Sequence, residues 1–432
     1  MSDQNSTIID VLQQQFVELE KQMNGATNTE AHMARKSAFG IFKEIGLPGR
    51  KDEEYRYTPL AKQLEKDFDG FVANPDIGES TLAKIQLPEL SGTKIVFVNG
   101  VYQEALSNIA TLNGAEINIA SSQKDLMKIT SLNLSSNDAF SGLNLALASS
   151  GVSIRVAKNA VIEESIHIIH ITNSDASCVM ATPRHEITIG ENAQATIAEI
   201  FIGTGAQSSF TNSAMDISIA NNGLLNHYKV GMDGDNNLRI DNTNCYQQNN
   251  SVLNTINMNF GGKIIRNNLN IILQGEYCES NLDGLYLPIA DGNIDNHTVV
   301  DHTMPNSNSN ELYKGIIGEN ATAVFNGKVF VRKDAQKTNA FQSNKNILLS
   351  DSSTINTKPQ LEIWADDVKC SHGCTTGQMD KEQLFYLRAR GIDERSAQKL
   401  LLNAFAEEVI LKIKDEKIKE LVEGVLEEKI NK

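Results

Sequence analysis

The stretch Ala214–Leu225, AMDISIANNGLL, decides how this chain folds. Met215, Ile217 and Ile219 alternate with polar residues, the period of two that marks a half-buried strand, and NNGLL then breaks the run as a turn. Similar runs recur on both sides: Val152, Ile154 and Val156 in GVSIRV, Ile187 and Ile189 in HEITIG, and Ile256, Met258 and Phe260 in NTINMNF. Phe325, Gly327, Val329 and Val331 repeat it in VFNGKVFV, and ENAQA and GENATA supply further turns. From about residue 80 this pattern runs for over 250 residues with almost no helical stretch. Asparagine makes up 22 of the 100 residues from 211 to 310, which favours turns because its side chain bonds locally and accepts left-handed dihedrals. A sandwich of this length is unusual. A mainly β, parallel β-helix, stacking one short strand per coil, is the expected architecture, although no clean repeat period is visible.

The flanks carry a different period. In STIIDVLQQQFVELEKQM, Ile8, Val11, Leu12, Phe16 and Leu19 draw one helical stripe. AHMARKSAFGIFKEIG repeats it through Met33, Ser37, Phe39, Phe42 and Ile45, stopping at Gly46 and Pro48. RKDEEYRYTPL reads as a linker, with Tyr55 and Tyr57 free to pack against the next part of the chain. Residues 381 to 432 hold 11 Lys/Arg and 11 Asp/Glu, a far denser charge than the 22% of the whole chain. Asp380 and Gln383 form a capping box ahead of a helix, and Ala397, Leu400, Leu401, Ala404, Phe405 and Ile413 line one side of the next. Leu421, Val425 and Leu426 mark a third. The expected domains are residues 1–79 (helical, with the linker), 80–379 (β-helix core) and 380–432 (a helical docking module).

At 432 residues and a formal charge of −15, the chain repels nucleic acid, and no long basic run offsets that. No 18-residue apolar window crosses a membrane, and no export signal opens the chain, so the cytoplasm is the expected location. No G-x-x-x-x-G-K-[ST] loop is present, so nucleotide hydrolysis falls to another chain. Five cysteines are too few and scattered for a disulfide framework; Cys178, Cys245 and Cys278 read as small apolar fillers.

The concentrated chemistry is DDVKCSHGCTTGQ, residues 366–378. In an extended strand Cys370, His372 and Cys374 share one side at about 6.5 Å steps, too wide for one metal unless the segment turns. A structural zinc wants four ligands, and no second pair exists. A Cys–His nucleophile wants an orienting acid and an oxyanion hole, with Asp366 and Asp367 the nearest acids. Burial without chemistry is a further account. Transient metal or sulfur handling at a subunit boundary suits the position better than a locked centre. His32 reads as a packing histidine. His167 and His170 fall on opposite faces of a strand. Asp295, His297, Asp301 and His302 either collect a cation or form a solvated turn, the turn being the simpler reading. Trp364 is a strand-edge aromatic, core or interface.

TKPQLEIWADDVKCSHG (357–373) and DKEQLFYLRARGI (380–392) resemble the SufB/SufD family of iron–sulfur cluster assembly proteins, and GLPGRKDEEYRYTPL (46–60) resembles that family's N-terminal segment. The resemblance runs over about residues 40 to 413. It implies a right-handed parallel β-helix flanked by N-terminal and C-terminal helical domains. It also implies a non-hydrolytic scaffold that pairs with the SufB paralogue and docks the ATPase SufC through the C-terminal helices. A transient nascent iron–sulfur cluster is expected at the SufB interface, with no permanent cofactor, and sulfur-donor and cluster-carrier proteins are further expected partners. No flavin signature is visible. The family's functional histidine falls on His372, with Cys370 before it; these two are the expected cluster-binding and metal-binding residues. SufB-like chains carry a thiol in a QCDS segment, where this chain has Gln342 and Ser343, which sets it on the SufD side. Cys374 stands where the family usually has alanine. The alternatives are the SufB-like role within the same system and a β-helix enzyme of the secreted, polysaccharide-active kind.

Overall fold

The computed structural model describes residues 7–22, 29–68, 70–73, 85–120, 126 and 138–431. The expected boundary at residue 79 lies outside them. The chain is mainly β, a parallel solenoid of about 8 turns flanked by helices at both chain ends. Its strands fall into two long sheets. The first runs from Ala115–Ala120 and Gly151–Val156 through Ser209–Ile219, Ile264–Leu273 and Asn293–His302 to Thr354–Ile363. The second runs from Val101–Tyr102 and Thr93–Val98 through Gln194–Thr204, Glu279–Tyr286 and Asn308–Ile317 to Asn339–Leu348 and Lys369–Gln378.

Along the second sheet, Ile168, Glu199, Lys229, Asn257, Gly284, Tyr313, Asn344 and Cys374 are successive register partners. The steps between them are 31, 30, 28, 27, 29, 31 and 30 residues. A coil length that drifts this much leaves no fixed period in the sequence. Side chains alternate across each strand, so one set points between the sheets. Ile154, Ile187, Ile217, Phe325 and their neighbours form that inner core.

Asparagine serves two ends. Asn159, Asn192, Asn222 and Asn250 adopt left-handed turn geometry, which short amide side chains tolerate. In GENATA the left-handed residue is Glu319, not Asn320. On the outside, Asn226, Asn254, Asn281 and Asn310 pass amide hydrogen bonds from coil to coil at 2.9–3.2 Å.

Both outer faces are covered. Helices α1 (Ile8–Gln22), α2 (Glu30–Ile45), α3 (Leu60–Asp67) and α4 (Ala139–Leu147) pack on the first sheet over Met180, Phe210, Leu238 and Ile264. The α1 stripe is buried as expected. The α2 stripe is corrected: Met33 and Ile45 are exposed, Ser37 faces outward, and the buried side is His32, Arg35, Ala38, Phe39 and Phe42. Arg35 reaches in to donate to the carbonyls of Ala146 and Ala148, so a cation occupies a core position that the apolar pattern cannot flag. Helix α4 is a second correction, a wholly buried helix inside the stretch expected to be almost helix-free. Asp138 caps it by accepting from the backbone N–H groups of Phe140 and Ser141.

Helices α5 (Lys381–Arg388), α6 (Glu394–Ile410) and α7 (Glu416–Asn431) lie at the other chain end, with Asp380 capping α5. Leu402, Ala406, Val409 and Ile410 of α6, with Ile418, Val422 and Leu426 of α7, pack on Tyr228, Val230, Ile256 and Met258 of the second sheet. The expected stripe is therefore turned. Ala397 and Ile413 are buried, but Leu400 is exposed and Ala404 faces outward. The helices gain their core from the solenoid flank rather than from each other alone.

Candidate functional site

Lys369–Gln378 is the last strand of the second sheet, ten residues held extended against Asn339–Leu348. Its register partners are Ala340 for Cys370, Gln342 for His372 and Asn344 for Cys374. All three partners belong to the inward-facing set, so Cys370, His372 and Cys374 share the inner side of the final coil. Among the described residues no further coil stacks on the free edge of that strand. His372 and Cys374 are exposed and Cys370 is partly buried, its thiol pushed up from the usual value by desolvation. Because the segment stays extended, the three side chains do not converge on one ion. Asp366 and Asp367 shape the turn before the strand, where both backbone N–H groups donate to Gln336.

Behind His372 the inner side becomes polar. Gln342 Nε2 donates to Glu311 Oε2 at 2.7 Å, and Thr298 Oγ1 donates to Glu311 Oε1 at 2.5 Å. Burial pushes the Glu311 carboxyl up to about 7, despite those hydrogen bonds. Beside this row, Asn344 Nδ2 donates to Tyr286 Oη at 2.9 Å, and Tyr286 donates to Asn346. No sequence signal pointed to Glu311 or Gln342 as a pair, since their adjacency depends on a register that the drifting coil length hides.

The other sequence candidates disperse. His32 is a packing histidine, stacked on Phe16 and bonded to Glu20 at 2.8 Å. Residues 293–302 form a strand, which corrects the solvated-turn reading. His302 points inward to Ser309 at 2.9 Å, whereas Asp301 pairs with Arg332 outside. His297 and Asp295 lie 2.9 Å apart on the outer face, so the four residues do not collect one cation. There the supposed linker is clamped: Glu54 contacts His297, Asn326 and Lys328, Glu53 pairs with Lys358, and Thr58 bonds Asp295. Tyr55 is buried beneath Arg266, whose guanidinium lies 3.9 Å from its ring, while Tyr57 is exposed. A cleft of about 460 Å³ opens beside this clamp. Glu53, Glu54, His297 and Lys358, which line it, are engaged with one another.

His167 and His170 do fall on opposite faces. His167 bonds the Ser91 carbonyl, while His170 enters the inner core. There His170, His185 and Glu199 bring their ligand atoms within 4.8 Å of one another, the gathering of metal-ligating groups found among the described residues. The sequence reading missed it because the three lie on three different strands. It is a poor metal site. The backbone N–H of Val152 donates to His185 Nδ1 at 3.1 Å, which leaves the neutral ring's proton on Nε2, the atom that faces the cluster. Lys229, 3.5 Å from Glu199 and paired with Asp241, already supplies positive charge. Burial pushes Glu199 up, but Lys229 and the two histidines more than offset it and hold the carboxyl well below its usual range. Desolvation takes His185 down to about 3. The cluster is an internal ion network. Cys245 and Cys278 are buried, as expected of fillers, and Cys178 is half-buried.

Comparison with known proteins agrees with this architecture. Residues 5–168 match the model of the SufBD protein N-terminal region, and residues 169–405 match that of the SUF system FeS cluster assembly SufBD core domain. The chain is 32% identical over 379 residues to the iron–sulfur cluster assembly protein SufD of Escherichia coli, covering 87% of this chain and 88% of that protein. It is 33% identical over 390 residues to an iron–sulfur cluster assembly SufBD family protein of Synechocystis, covering 87% and 86%. A SufBD family protein of Mycobacterium leprae is 26% identical across 94% of this chain and 97% of its own length.

Proposed function

The chain belongs to the SufBD family of the SUF iron–sulfur cluster assembly system, where it is SufD-like, and on that premise we propose that it acts as a non-hydrolytic scaffold subunit. It pairs with the SufB paralogue through the open end of the solenoid, in the cytoplasm, and a nascent cluster forms at that junction. The observation that supports this most is the last coil. Thr354–Ile363 and Lys369–Gln378 end their sheets as ten-residue edge strands, and the thiol–imidazole side of the second is exposed. Two open parallel edges with unpaired backbone groups invite another sheet.

His372 and Cys370 hold the incoming iron or sulfur there. Imidazole is a borderline ligand available near neutral pH, and a thiolate suits iron. Desolvation keeps Cys370 in its thiol form until a cation or metal draws the proton off. Cys374 contributes less, being farther along the strand and freely exposed. The SufC ATPase docks on the free side of α5 and α6, where Phe385, Tyr386 and Leu400 are exposed. Truncating those helices would strip the second sheet of its cover, so point substitutions are the sound probe of docking.

The test is coexpression with SufB and SufC, followed by subunit ratios and iron and acid-labile sulfide per purified complex. His372→Ala is expected to leave the ratios unchanged and to lower iron and sulfide at least about tenfold. Leu400→Asp is expected to release SufC and leave SufB bound. A His372→Ala complex with wild-type iron and sulfide overturns the assignment of the site.

A further inference from the structure

We propose that Glu311, acting through Gln342, is a positioning residue that fixes the orientation and tautomer of the His372 ring. The inference builds on the role proposed for His372, but its test does not require a cluster. Glu311, Gln342 and His372 are consecutive register partners on the strands Asn308–Ile317, Asn339–Leu348 and Lys369–Gln378. Neighbouring strands lie about 4.8 Å apart, so side chains in one such row stand in contact range.

The row has a direction. Glu311 accepts from Thr298 on one oxygen and from Gln342 on the other. A carboxylate only accepts, so the Gln342 amide must turn Nε2 toward it and Oε1 away. That Oε1 is buried and finds no partner among the described residues, and the Gln342 residue is only 3% exposed. A buried amide oxygen left unpaired costs on the order of 1–3 kcal/mol. The next residue along the row is His372, which is exposed and not hydrogen-bonded to Oε1 in this structure, and whose ring would supply the missing N–H on turning toward it.

The facing sheet makes room for this arrangement. A Cβ on Gly327 would stand 2.1 Å from Gln342 Nε2, so any larger residue there would push the amide out of line. Thr298, on the same facing sheet, holds the far end of the row. Asp283 adds a negative charge near Glu311, and the Tyr313 hydroxyl is buried beside it without a partner.

The consequence concerns which nitrogen His372 presents. Once one ring N–H is committed to Gln342 Oε1, the other nitrogen of the neutral ring is left unprotonated and faces away from Gln342. A metal-binding histidine is commonly oriented in this way, by a carboxylate or carbonyl on its second nitrogen. Here an amide carries the link, so Glu311 acts on a ring that it does not touch.

The experiment is ¹⁵N NMR of the histidine rings in the full chain at pH 8.5, with His372→Ala assigning the signal. Wild type is expected to show two well-separated His372 nitrogen shifts, the mark of one dominant tautomer. Gln342→Leu removes the acceptor, and the separation should fall by more than about half. Glu311→Gln frees the Gln342 amide to present either end, and the separation should fall by a smaller amount. Gln342→Glu keeps an acceptor beside the ring and should retain the wild-type separation. A wild-type spectrum that already shows averaged tautomers overturns the proposal, as does an unchanged separation in Gln342→Leu. Either result leaves the cluster assay of His372→Ala standing on its own. Conversely, the tautomer result can hold while that assay fails, so the two ideas fall separately.

Discussion

The two ends of the solenoid are built to opposite rules. At the N-terminal end each sheet stops in an antiparallel strand: Val101–Tyr102 folds back on Thr93–Val98, and Ala115–Ala120 lies on Gly151–Val156. Asn99 and Gly100 make the reversal, both at positive φ, the Asn–Gly pattern that suits a two-residue hairpin. Ile95, Phe97, Val152 and Ile154 beneath are fully buried. At the other end no described strand turns back. Phe341, Ile363 and Trp364 remain 40–49% exposed, and the inner row ends in Cys370, His372 and Cys374. A terminus that a monomer needs to be closed is closed by local chain reversal. The other terminus keeps full-length edges, which suits the partner proposed for it.

Truncation at the two ends sharpens this contrast most. Phe97 stands among Tyr102, His170 and His185 at ring distances of 5.5–6.0 Å. Phe97→Ala is expected to cost about 3–5 kcal/mol in urea unfolding of the isolated chain, as for other large core aromatics. Leu361 holds the matching inner position at the open end and is only partly buried against Val329 and Val331. Leu361→Ala is expected to cost about 1 kcal/mol in the isolated chain and to weaken pairing with SufB more than it weakens folding. Equal losses from the two substitutions would mean that the open end is already a closed core.

The next effect is electrostatic. Burial holds the Glu311 carboxyl near 7, above the 4.5 it has when unfolded. Between those values the native state binds the extra proton, so this group lowers stability as pH rises from about 4.5 to 7, and the loss stays constant above that. Its full size is on the order of 3 kcal/mol. Glu311→Gln is expected to leave stability nearly unchanged at pH 4 and to raise it at pH 8, read from urea midpoints at the two values. The same difference at both pH values would show that Glu311 does not titrate in that range. The closed end also buries a carboxylate, Glu199, but there Lys229 and two histidines hold it low, whereas Glu311 at the open end has only neutral donors and is pushed up.

The fold was readable because period-two alternation is a local property. Met215, Ile217 and Ile219 point inward wherever the coil boundaries fall. That Cys370, His372 and Cys374 share one strand side was readable for the same reason, since alternation needs no long-range register, while the choice of His372 among them rested on the family resemblance. Glu311 and Gln342 were not, since 31 residues separate them and the coils between Ile168 and Cys374 step by anything from 27 to 31. The helix faces failed for another reason. Arg35 and His32 fill buried positions of α2 because each finds a carbonyl or carboxylate partner there, and apolar patterning cannot anticipate a satisfied polar group. On α6 the choice between Leu400 and Leu402 was set by the solenoid flank, a surface that the helix sequence does not contain.

The smallest expected effect reverses the sign of the Glu311 result. Glu54 clamps the N-terminal segment to the outer face of the first sheet through His297, Asn326 and Lys328. Its hydrogen bond to His297, aided by Lys328, brings the carboxyl down to about 2, below its unfolded 4.5. A depressed carboxyl adds stability that is present above about 4.5 and lost as pH falls toward 2. The side chain is 39% exposed, so solvent screens much of the attraction, and the contribution at pH 7 is expected to stay under about 1 kcal/mol. Glu54→Gln should therefore shift the urea midpoint slightly downward at pH 7 and by much less at pH 2.5, where Glu311→Gln is silent. The two isosteric changes differ by one proton each, yet one stabilises at high pH and the other destabilises there. If Glu54→Gln instead raises stability at pH 7, the clamp is strained, and the N-terminal segment is held on the solenoid by Tyr55 beneath Arg266 rather than by its charges.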